Sequence, residues 1–556
     1  MPRIPAPMTE PRTAAPLSPQ VRERLKAVRE IAQSGDMDAA GAEAERVLAE
    51  GVRHPFLFNI QALQREARLE FAQAETSLRE GLALAPEDIG CLHALGLLLL
   101  RLERADEARP LFERVLELRP DFAPAEVALG QALETLGELP AAEARYASAL
   151  ALDPRNLLAR AGLASLHGRR GDRAQARTLG LEVLTAEPNY PPASMVVAEA
   201  EIADGEAAQA ESRLRQLLTE PRISAVERSL ALSTLGDALD RQQRVAEAFA
   251  AYRESNELRR SHYAREFGGP GTLAYAQELR DWLRRHGARD LLTVLPPEVT
   301  NSPASGHAFL IGFPRSGTTL LEQILASHPR VVALEEREAL IDSVRAYMRS
   351  PGDLARLGLA SEAELAPLRE AYWRRVAEAG VFVNRNLFVD KHPFNGLKLP
   401  LVVRLFPEAK ILFALRDPRD VILSCYRRRF RMSAPYYELL DLQRAAELYV
   451  TVMEIMELLI PGLELRVHRV RLESLVADFD NEARALCAFL DLSWNEKMHD
   501  FAATARSRGV ATASGAQVAR GLNAGGLGEW RRYREQLAPV LPMLAPWVER
   551  FGYAPE

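Results

Sequence analysis

The sequence predicts an N-terminal α-helical solenoid followed by an α/β domain with a mainly parallel sheet. Three observations support this fold class. An interval of 34 residues recurs through the first half of the chain. A polar, glycine-containing loop joins an apolar run to an amphipathic run near residue 315, and a second apolar run ends in arginine about a hundred residues later. With 556 residues, the chain is long enough for two or more domains.

The 34-residue interval separates small residues and prolines in several registers. Its prolines are Pro86, Pro120, Pro154 and Pro188. Its alanines are Ala74, Ala108, Ala142, Ala176 and Ala210, and a third register holds Gly96, Gly130, Ala164 and Ala198. Small residues let two helices approach closely, and proline ends the second helix of a unit. The period resembles the tetratricopeptide repeat, whose units stack into a superhelix.

We expect a disordered leader over 1–19, the repeat array over 20–260, a helical linker over 261–303 and the α/β domain over 304–556. Full repeats run from about Pro55 to Arg222, with a helical pair at each end. The resemblance to tetratricopeptide repeats implies recruitment of a protein or peptide partner. A spacer or a dimer-forming arm is the structural alternative.

The second domain opens with a predicted strand, Ala308–Phe313, a loop, Pro314–Thr319, and a helix, Leu320–Ala326. A strand–loop–helix directs backbone N–H groups and a helix N-terminus at one point, which suits a phosphate or sulfate. The guanidinium of Arg315 adds a planar positive fork. The other predicted anion contacts are Ser316, Gly317, Thr318 and Thr319.

This loop differs from the nucleotide-triphosphate loop, G-x-x-x-x-G-K-[ST]. Gly312 and Gly317 have the required spacing, but Thr318 occupies the lysine position. The missing lysine disfavours an ATP-dependent small-molecule kinase, which stays an alternative that magnesium dependence would identify. A glycine turn without any ligand is the structural alternative.

A second anion motif follows the apolar run Ile411–Leu415, which has strand length. Asp417 fits a helix N-cap and Pro418 fits the first helical turn. An arginine ends the strand, a serine follows eight residues later on the helix, and another arginine lies one helical turn beyond. These candidate anion ligands are Arg416, Ser424 and Arg428.

With both motifs in this order, residues 304–555 resemble sulfotransferases that use 3′-phosphoadenosine 5′-phosphosulfate (PAPS). The similarity is greatest to tyrosylprotein sulfotransferases and their bacterial relatives with tetratricopeptide repeats. The resemblance implies a P-loop-like domain that binds the 5′-phosphosulfate on Arg315–Thr319 and the 3′-phosphate on Arg416 and Ser424. It implies PAPS as donor, no metal, and an acceptor hydroxyl as the second substrate.

The resemblance also assigns catalytic residues. In HPRVVALEERE the second glutamate of the pair, Glu336, matches the family's catalytic base, delivered by a short strand, Val331–Leu334. In LFVDKHPFN, Lys391 ends a strand and would stabilise charge on the leaving nucleotide. His392 is the competing base, because a more distant branch uses histidine. The predicted catalytic set is Glu336, Arg315, Lys391 and Ser514, the last from the loop that closes over PAPS.

Several positions depart from the family pattern. Leu472 replaces a tyrosine that contacts the nucleotide, and Ser474 replaces an aspartate. Glu529 stands before Trp530 where a basic residue is expected, so Arg531 or Arg532 would take over the 5′-phosphate contact.

The acceptor side also departs from the family pattern. Glu338 and Asp342 occupy positions where the tyrosylprotein enzymes have arginines that read acidic peptides, although Arg337 and Arg345 are near. The acceptor therefore stays open among a protein tyrosine, a carbohydrate and a small-molecule hydroxyl.

Composition limits the remaining function classes. The formal net charge is −6 without a basic tail, which argues against nucleic acid as a partner. Cys91, Cys425 and Cys487 show no C-x-x-C spacing, so neither a zinc site nor a disulfide framework is expected. No apolar run reaches eighteen residues and the leader lacks an apolar core, so we expect a cytoplasmic protein without a membrane span. A non-catalytic scaffold is the third function class.

Overall fold

The computed structural model describes residues 18–555 except 69, 103, 222, 293–301, 509–514 and 519–520. The chain forms two compact units, Met1–Ala200 and Glu201–Glu556. This division falls inside a helix and upstream of residue 260, where the sequence analysis ends the repeat array. The predicted domain boundaries stay predictions.

The first unit is built from helical pairs. Its helices are α1 (Pro19–Gln33), α2 (Met37–Ala49), α3 (Pro55–Ala67), α4 (Phe71–Leu84), α5 (Ile89–Arg101), α6 (Ala105–Leu118), α7 (Ala123–Leu136), α8 (Leu139–Leu152), α9 (Leu157–Arg170), α10 (Arg173–Ala186) and α11 (Pro191–Ala203), which crosses the division. Helices α4, α6, α8 and α10 each end two residues before one of the repeating prolines. The predicted helix–turn–helix period is therefore confirmed.

The small residues of the repeat register allow helices to pack closely. A Cβ atom at Gly96 would lie 2.6 Å from the Phe112 ring, and one at Gly130 would lie 2.7 Å from the Tyr146 ring. Each aromatic residue follows its glycine by sixteen positions and is almost fully buried. Glycine in one helix thus makes room for an aromatic ring from the next.

The second unit contains further helices and one sheet. Its helices are α12 (Ala207–Leu218), α13 (Ala225–Arg241), α14 (Val245–Phe267), α15 (Thr272–His286), α16 (Thr318–Ala326), α17 (Ile341–Tyr347), α18 (Leu354–Leu359), α19 (Glu362–Glu378), α20 (Leu399–Leu405), α21 (Pro418–Arg427), α22 (Ala434–Glu438), α23 (Leu442–Gly462), α24 (Leu472–Ala477), α25 (Phe479–Phe489), α26 (Phe501–Arg508), α27 (Gly515–Val518), α28 (Arg534–Leu537) and α29 (Leu541–Arg550). Short 3₁₀ turns cover Ala288–Leu292, Pro351–Asp353, Pro393–Lys398, Glu496–Asp500 and Glu529–Tyr533.

The strands of this unit are β1 (Gly306–Ile311), β2 (Val331–Glu335), β3 (Leu387–Lys391), β4 (Lys410–Leu415) and β5 (Val467–Arg471). They form one parallel sheet in the order β2-β3-β1-β4-β5. The central strand is apolar on both faces, as parallel sheets covered by helices require. The predicted order of a helical repeat region and a parallel-sheet domain is confirmed.

Strand β1 is displaced by two residues from its predicted bounds of 308–313. It ends at Ile311 because the next N–H group, that of Gly312, donates to the carbonyl of Pro393 at 3.2 Å. The chain therefore leaves the strand ladder earlier than the apolar pattern indicates. Among the described residues, no helix combines the length and apolar character needed to cross a lipid bilayer.

The helices α13 and α14 form an antiparallel pair, which we call the terminal hairpin. A Cβ atom at Gly236 would lie 2.5 Å from the Tyr252 ring. This glycine–aromatic pair has the sixteen-residue spacing found in the first unit. The terminal hairpin therefore has the packing of a repeat, yet it belongs to the same compact unit as the sheet.

Candidate functional site

The loop between β1 and α16 adopts the shape of an anion cradle. Gly317 has a φ of 97° and caps α16, which begins at Thr318, two residues earlier than predicted. Arg315 has a φ of 71°, a conformation that costs a non-glycine residue about 1–3 kcal/mol. The Cys425 thiol donates to the Pro314 carbonyl at 3.3 Å and fixes the loop from the side. The first N–H groups of α16, which lack acceptors within the helix, begin at this loop.

The two predicted anion motifs meet in the structure. The Nε of Arg315 donates to the Oγ of Ser424 at 2.9 Å. The Nη1 of Arg416 donates to the main-chain carbonyl of Arg315 at 3.1 Å, and its Nη2 donates to the Gly526 carbonyl. Residues separated by about a hundred positions therefore form one cluster, which we call the arginine cluster (Arg315, Arg416 and Ser424).

The arginine cluster concentrates positive charge. Removal from water, together with the charges of Arg428 and Arg416, lowers the pKa of Arg315 to about 9. The Nε of Arg416 is buried and has no hydrogen-bond partner among the residues that the structure describes. An unused donor among crowded cations is suited to a bound dianion, which would fill the donor and offset the charge.

Arg428 does not lie where the sequence analysis placed it. The helix α21 ends at Arg427, and Arg428 has extended backbone angles. In a continuing helix the Tyr426 carbonyl would accept from the N–H group of residue 430. Instead it accepts from the Nδ2 of Asn256 at 2.9 Å, so a tertiary contact ends the helix. The charge of Arg428 still acts on Arg315.

Lys391 lies at the end of β3 among three carboxylates. Its side chain is fully buried, and its Nζ lies 2.8 Å from Glu336, 3.2 Å from Glu322 and 3.8 Å from Glu335. Burial alone would lower the pKa of Lys391, but these carboxylates outweigh burial and raise it. Lys391 is therefore a fixed positive charge at the edge of the sheet where open α/β folds bind ligands.

Glu336 follows β2 and faces Lys391. Its N–H group donates to the Lys391 carbonyl at 2.8 Å, and its φ of 42° turns the chain away from the strand. Burial would raise the pKa of Glu336, but the adjacent Lys391 ammonium and the Tyr436 hydroxyl hold it below its usual range. The side chain keeps 26% of its surface exposed, so an acceptor can reach an ionised carboxylate.

The competing base and the acidic acceptor positions have partners of their own. The Nε2 of His392 lies 3.2 Å from Glu338, which also pairs with Lys398. These two groups outweigh burial and hold the pKa of Glu338 well below its usual range. Asp342 accepts two hydrogen bonds from Arg375, at 2.5 and 2.9 Å. Cations thus balance both carboxylates at the positions where the tyrosylprotein enzymes have arginines.

Comparison with known proteins relates two parts of the sequence to protein families. Residues 308–496 match the family model described as "Sulfotransferase family", and residues 99–166 match the one described as "Tetratricopeptide repeat". The match over residues 308–496 makes this part of the chain similar to the sulfotransferase family. We refer to this part of the chain as the sulfotransferase domain.

Similar proteins cover the chain to different extents. An uncharacterized protein of Aquifex aeolicus is 26% identical over 393 residues, which cover 67% of this chain and 48% of that protein. Protein-tyrosine sulfotransferase 1 of Danio rerio is 27% identical over 265 residues, 44% of this chain and 72% of that protein. The solved sulfotransferase domain of the Synechococcus PCC 7002 olefin synthase is 23% identical with a TM-score of 0.31, covering 43% of this chain and 91% of its own. The chain thus spans about half the length of the Aquifex relative.

Two residues that interact with the site, Glu322 and Tyr436, were not predicted from the sequence. Glu322 lies on α16, is fully buried and has its Oε1 3.5 Å from Arg508. Burial is the largest influence on Glu322 and raises its pKa to about 7. Its signal in the sequence is a lone carboxylate in the apolar run LLEQIL. Tyr436 gives no comparable signal, because it reaches Glu336 only through tertiary packing, stacked 4.5 Å from Phe430.

The segment Gly526–Tyr533, called the closing segment, is held against α21. Asp420 accepts from the N–H groups of Gly528 at 2.6 Å and Trp530 at 2.9 Å. The Arg419 guanidinium stacks 3.8 Å from the Trp530 ring. Of the two proposed 5′-phosphate contacts in this segment, Arg532 is paired with Asp240.

Two other sequence predictions concern this region. Ser514 lies outside the described residues. Leu472, at the family's tyrosine position, lies 3.2 Å from where a Cβ of Gly317 would stand, so it covers the anion loop with an apolar side chain. In the part of the chain that the structure describes, no group of three or more His, Cys, Asp or Glu side chains is arranged to hold a metal ion.

Proposed function

We propose that the protein transfers a sulfuryl group from PAPS to an acceptor hydroxyl. The observation that carries this proposal is the 2.9 Å bond between Arg315 and Ser424, which joins the two anion motifs. PAPS has anionic groups at two separate positions, the 5′-phosphosulfate and the 3′-phosphate. A single cluster built from both motifs is suited to bind them together.

The donor site uses groups with distinct tasks. The loop from Arg315 to Thr319 would hold the phosphosulfate through backbone N–H groups and the Arg315 guanidinium. Arg416 and Ser424 would hold the 3′-phosphate, for which Arg416 has its unused Nε donor. When bound, PAPS supplies the sulfuryl group and a stable nucleotide leaving group.

The acceptor proton goes to Glu336. Its carboxylate is ionised, partly exposed and positioned by Lys391, as a general base requires. Lys391 would stabilise negative charge on the oxygen that leaves the sulfur. It also has two further carboxylate partners, Glu322 and Glu335, so it does not depend on Glu336 to stay charged and in place.

We propose a protein tyrosine as the acceptor. The support is the similarity to proteins named protein-tyrosine sulfotransferases, which extends over 44–45% of this chain. The pairing of Glu338 with Lys398 and of Asp342 with Arg375 removes the main electrostatic objection to an acidic peptide. The repeats of the first unit would recruit the acceptor or another protein partner.

The donor assignment is tested by calorimetric titration with 3′-phosphoadenosine 5′-phosphate (PAP), the desulfated product, with and without magnesium, and with ATP. We expect tight binding of PAP that does not need magnesium. Preference for ATP with magnesium would favour a kinase instead.

The acceptor is tested separately by transfer of labelled sulfate from PAPS to tyrosine peptides, oligosaccharides and phenolic small molecules. Labelling of the peptides alone supports a protein tyrosine. Labelling of only the other two classes contradicts it.

A further inference from the structure

Asp240, near the end of α13 in the terminal hairpin, is a buried carboxylate that holds groups from two other segments. Its Oδ2 lies 2.8 Å from the Nη2 of Arg427, and its Oδ1 accepts from the Tyr533 hydroxyl at 2.6 Å. Arg532 donates to the same oxygen. Only 7% of the surface of Asp240 is exposed, so these partners replace water as its hydrogen-bond donors.

The two segments joined by Asp240 flank the arginine cluster. Arg427 is the last residue of α21, three positions after Ser424. Tyr533 ends the closing segment, whose first residue, Gly526, is bound through its carbonyl by Arg416. The carboxylate of Asp240 thus connects the helix that carries the predicted 3′-phosphate ligand with the segment bound to the neighbouring arginine.

Other contacts of the terminal hairpin act on the same helix. The Nδ2 of Asn256 donates to the Tyr426 carbonyl at 2.9 Å, and Arg259 donates to the Phe430 carbonyl at 2.7 Å. The ring of Phe249 stacks on Tyr426 with centroids 5.2 Å apart. The hairpin therefore determines where α21 ends and where the chain after Ser424 runs.

Arg427 depends on Asp240 because the Arg427 guanidinium is buried. The Arg427 guanidinium lies between the rings of Tyr252 and Tyr533, 5.5 and 5.2 Å from their centroids. Its side chain is 10% exposed, and among the described residues its other carboxylate contact is Glu529 at 3.3 Å. A cation this buried needs a nearby counterion, and Asp240 is the nearer of the two. Without the Asp240 carboxylate, Arg427 and Arg532 would each lose an ion pair, and their side chains would move to other partners.

We propose that Asp240 is a positioning residue for the donor nucleotide: a repeat-like hairpin holds α21 and the closing segment in register for the 3′-phosphate. The inference rests on the proposed use of PAPS. It gives the terminal hairpin a role inside the second unit, in addition to the proposed recruitment by the repeats.

The test measures PAP affinity by calorimetry in the full chain carrying Asp240→Asn. We expect affinity to fall about tenfold or more, the usual worth of a charge-assisted hydrogen bond. Hydrogen exchange of the closing segment should become faster in the same variant. The matched control is Asp237→Asn, one turn earlier on α13, which removes a negative charge whose 2.7 Å hydrogen bond from Tyr252 lies within the hairpin.

A second, milder variant tests the same contact in case Asp240→Asn does not fold. Tyr533→Phe removes one hydrogen bond to Asp240 and keeps the ring, and we expect its PAP affinity to fall by several-fold. Wild-type affinity in Asp240→Asn, or an equal loss in Asp237→Asn, overturns the positioning role. If the wild-type protein itself fails to bind PAP, the proposed donor is wrong and the inference falls with it.

Discussion

The Nζ of Lys391 lies 2.8 Å from the Oε1 of Glu336, although 55 positions separate the two residues. Strand pairing sets this distance, because β2 and β3 are parallel with Glu335 opposite Lys391. The residue after β2 then turns back toward the end of β3. The family resemblance assigned the base, Glu336, and the cation, Lys391, separately. In the structure they form one ion pair.

Replacing Glu336 by glutamine should reduce turnover by about 10²-fold or more, because the amide cannot take the acceptor proton. PAP affinity should stay within about threefold of wild type, since the donor contacts lie on other residues. Steady-state transfer rates and calorimetry measure the two quantities.

Glu335→Gln is the matched control for that substitution. Glu335 is the neighbouring carboxylate and lies 3.8 Å from Lys391. Its loss should cost less than about tenfold, as expected for a weak charge contact. A larger loss of turnover in Glu335→Gln than in Glu336→Gln would identify Glu335 as the base and contradict the assignment to Glu336.

The decrease of kcat/KM at acidic pH should reflect protonation of Glu336. Its pKa is held below the usual value of 4.5, so the rate should be constant from neutral pH down to about 5 and fall only in more acidic solution. Lys391→Met removes the stabilising ammonium and leaves the burial that raises this pKa. The decrease should then move to higher pH. A wild-type decrease near pH 6.5, the ordinary pKa of histidine, would favour His392 instead.

Ser424→Ala should selectively weaken recognition of the 3′-phosphate. The wild-type protein should prefer PAP over AMP, which lacks that group, and the variant should lose about tenfold of the preference. Titrations with both nucleotides provide the comparison. Ser34→Ala, which removes an exposed hydroxyl bonded to the Ile31 carbonyl at 2.7 Å, serves as the control for the loss of a hydroxyl. An unchanged preference in Ser424→Ala would exclude this serine from the 3′-phosphate site.

Glu322→Gln should change the pH dependence of stability. Burial raises the folded-state pKa of Glu322 to about 7, above the ordinary 4.5, so the unfolded chain loses this proton first as pH rises. The wild-type protein then loses stability from this group between these two values, at up to about 1.4 kcal/mol per pH unit. Lys391, Glu335 and Arg508 are the charged groups that face it.

The measurement is the difference in unfolding free energy between the Glu322→Gln variant and wild type across this pH range. The difference should shift in favour of the variant as pH increases. A difference that stays constant would show that Glu322 is ionised throughout.

Gly130→Ala should destabilise the repeats, because the new methyl group would lie 2.7 Å from the Tyr146 ring. Overpacking of this kind costs about 1–3 kcal/mol. Gly168→Ala on α9 is the control, since its methyl group would have only an ordinary contact at 3.7 Å. That substitution should be neutral or stabilising by up to about 1 kcal/mol. Equal stability of both variants in chemical denaturation would contradict the close approach.

The sequence was sufficient for features that depend on local pattern. The 34-residue period and the Asp417 cap with Pro418 are present as predicted, and the apolar strands are present with ends shifted by up to two residues. Features that depend on distant contacts were not predicted. The end of α21 depends on Asn256, and Glu322 gains its significance only because Lys391 lies 3.2 Å away. Such positions follow from packing between elements, which no local period encodes.

The order of the strands has a consequence for synthesis of the protein. The central strand β1 pairs with β3 through Gly306 and Leu387, and with β4 through Ala308 and Lys410. At a synthesis rate of about 5–20 residues per second, the second partner leaves the ribosome roughly 5–20 s after the first strand. Helical repeats can fold as they emerge, because each unit contacts only its neighbours. The apolar strand that leads into the anion loop lacks its second partner during that interval, and an unpaired apolar strand is prone to aggregate.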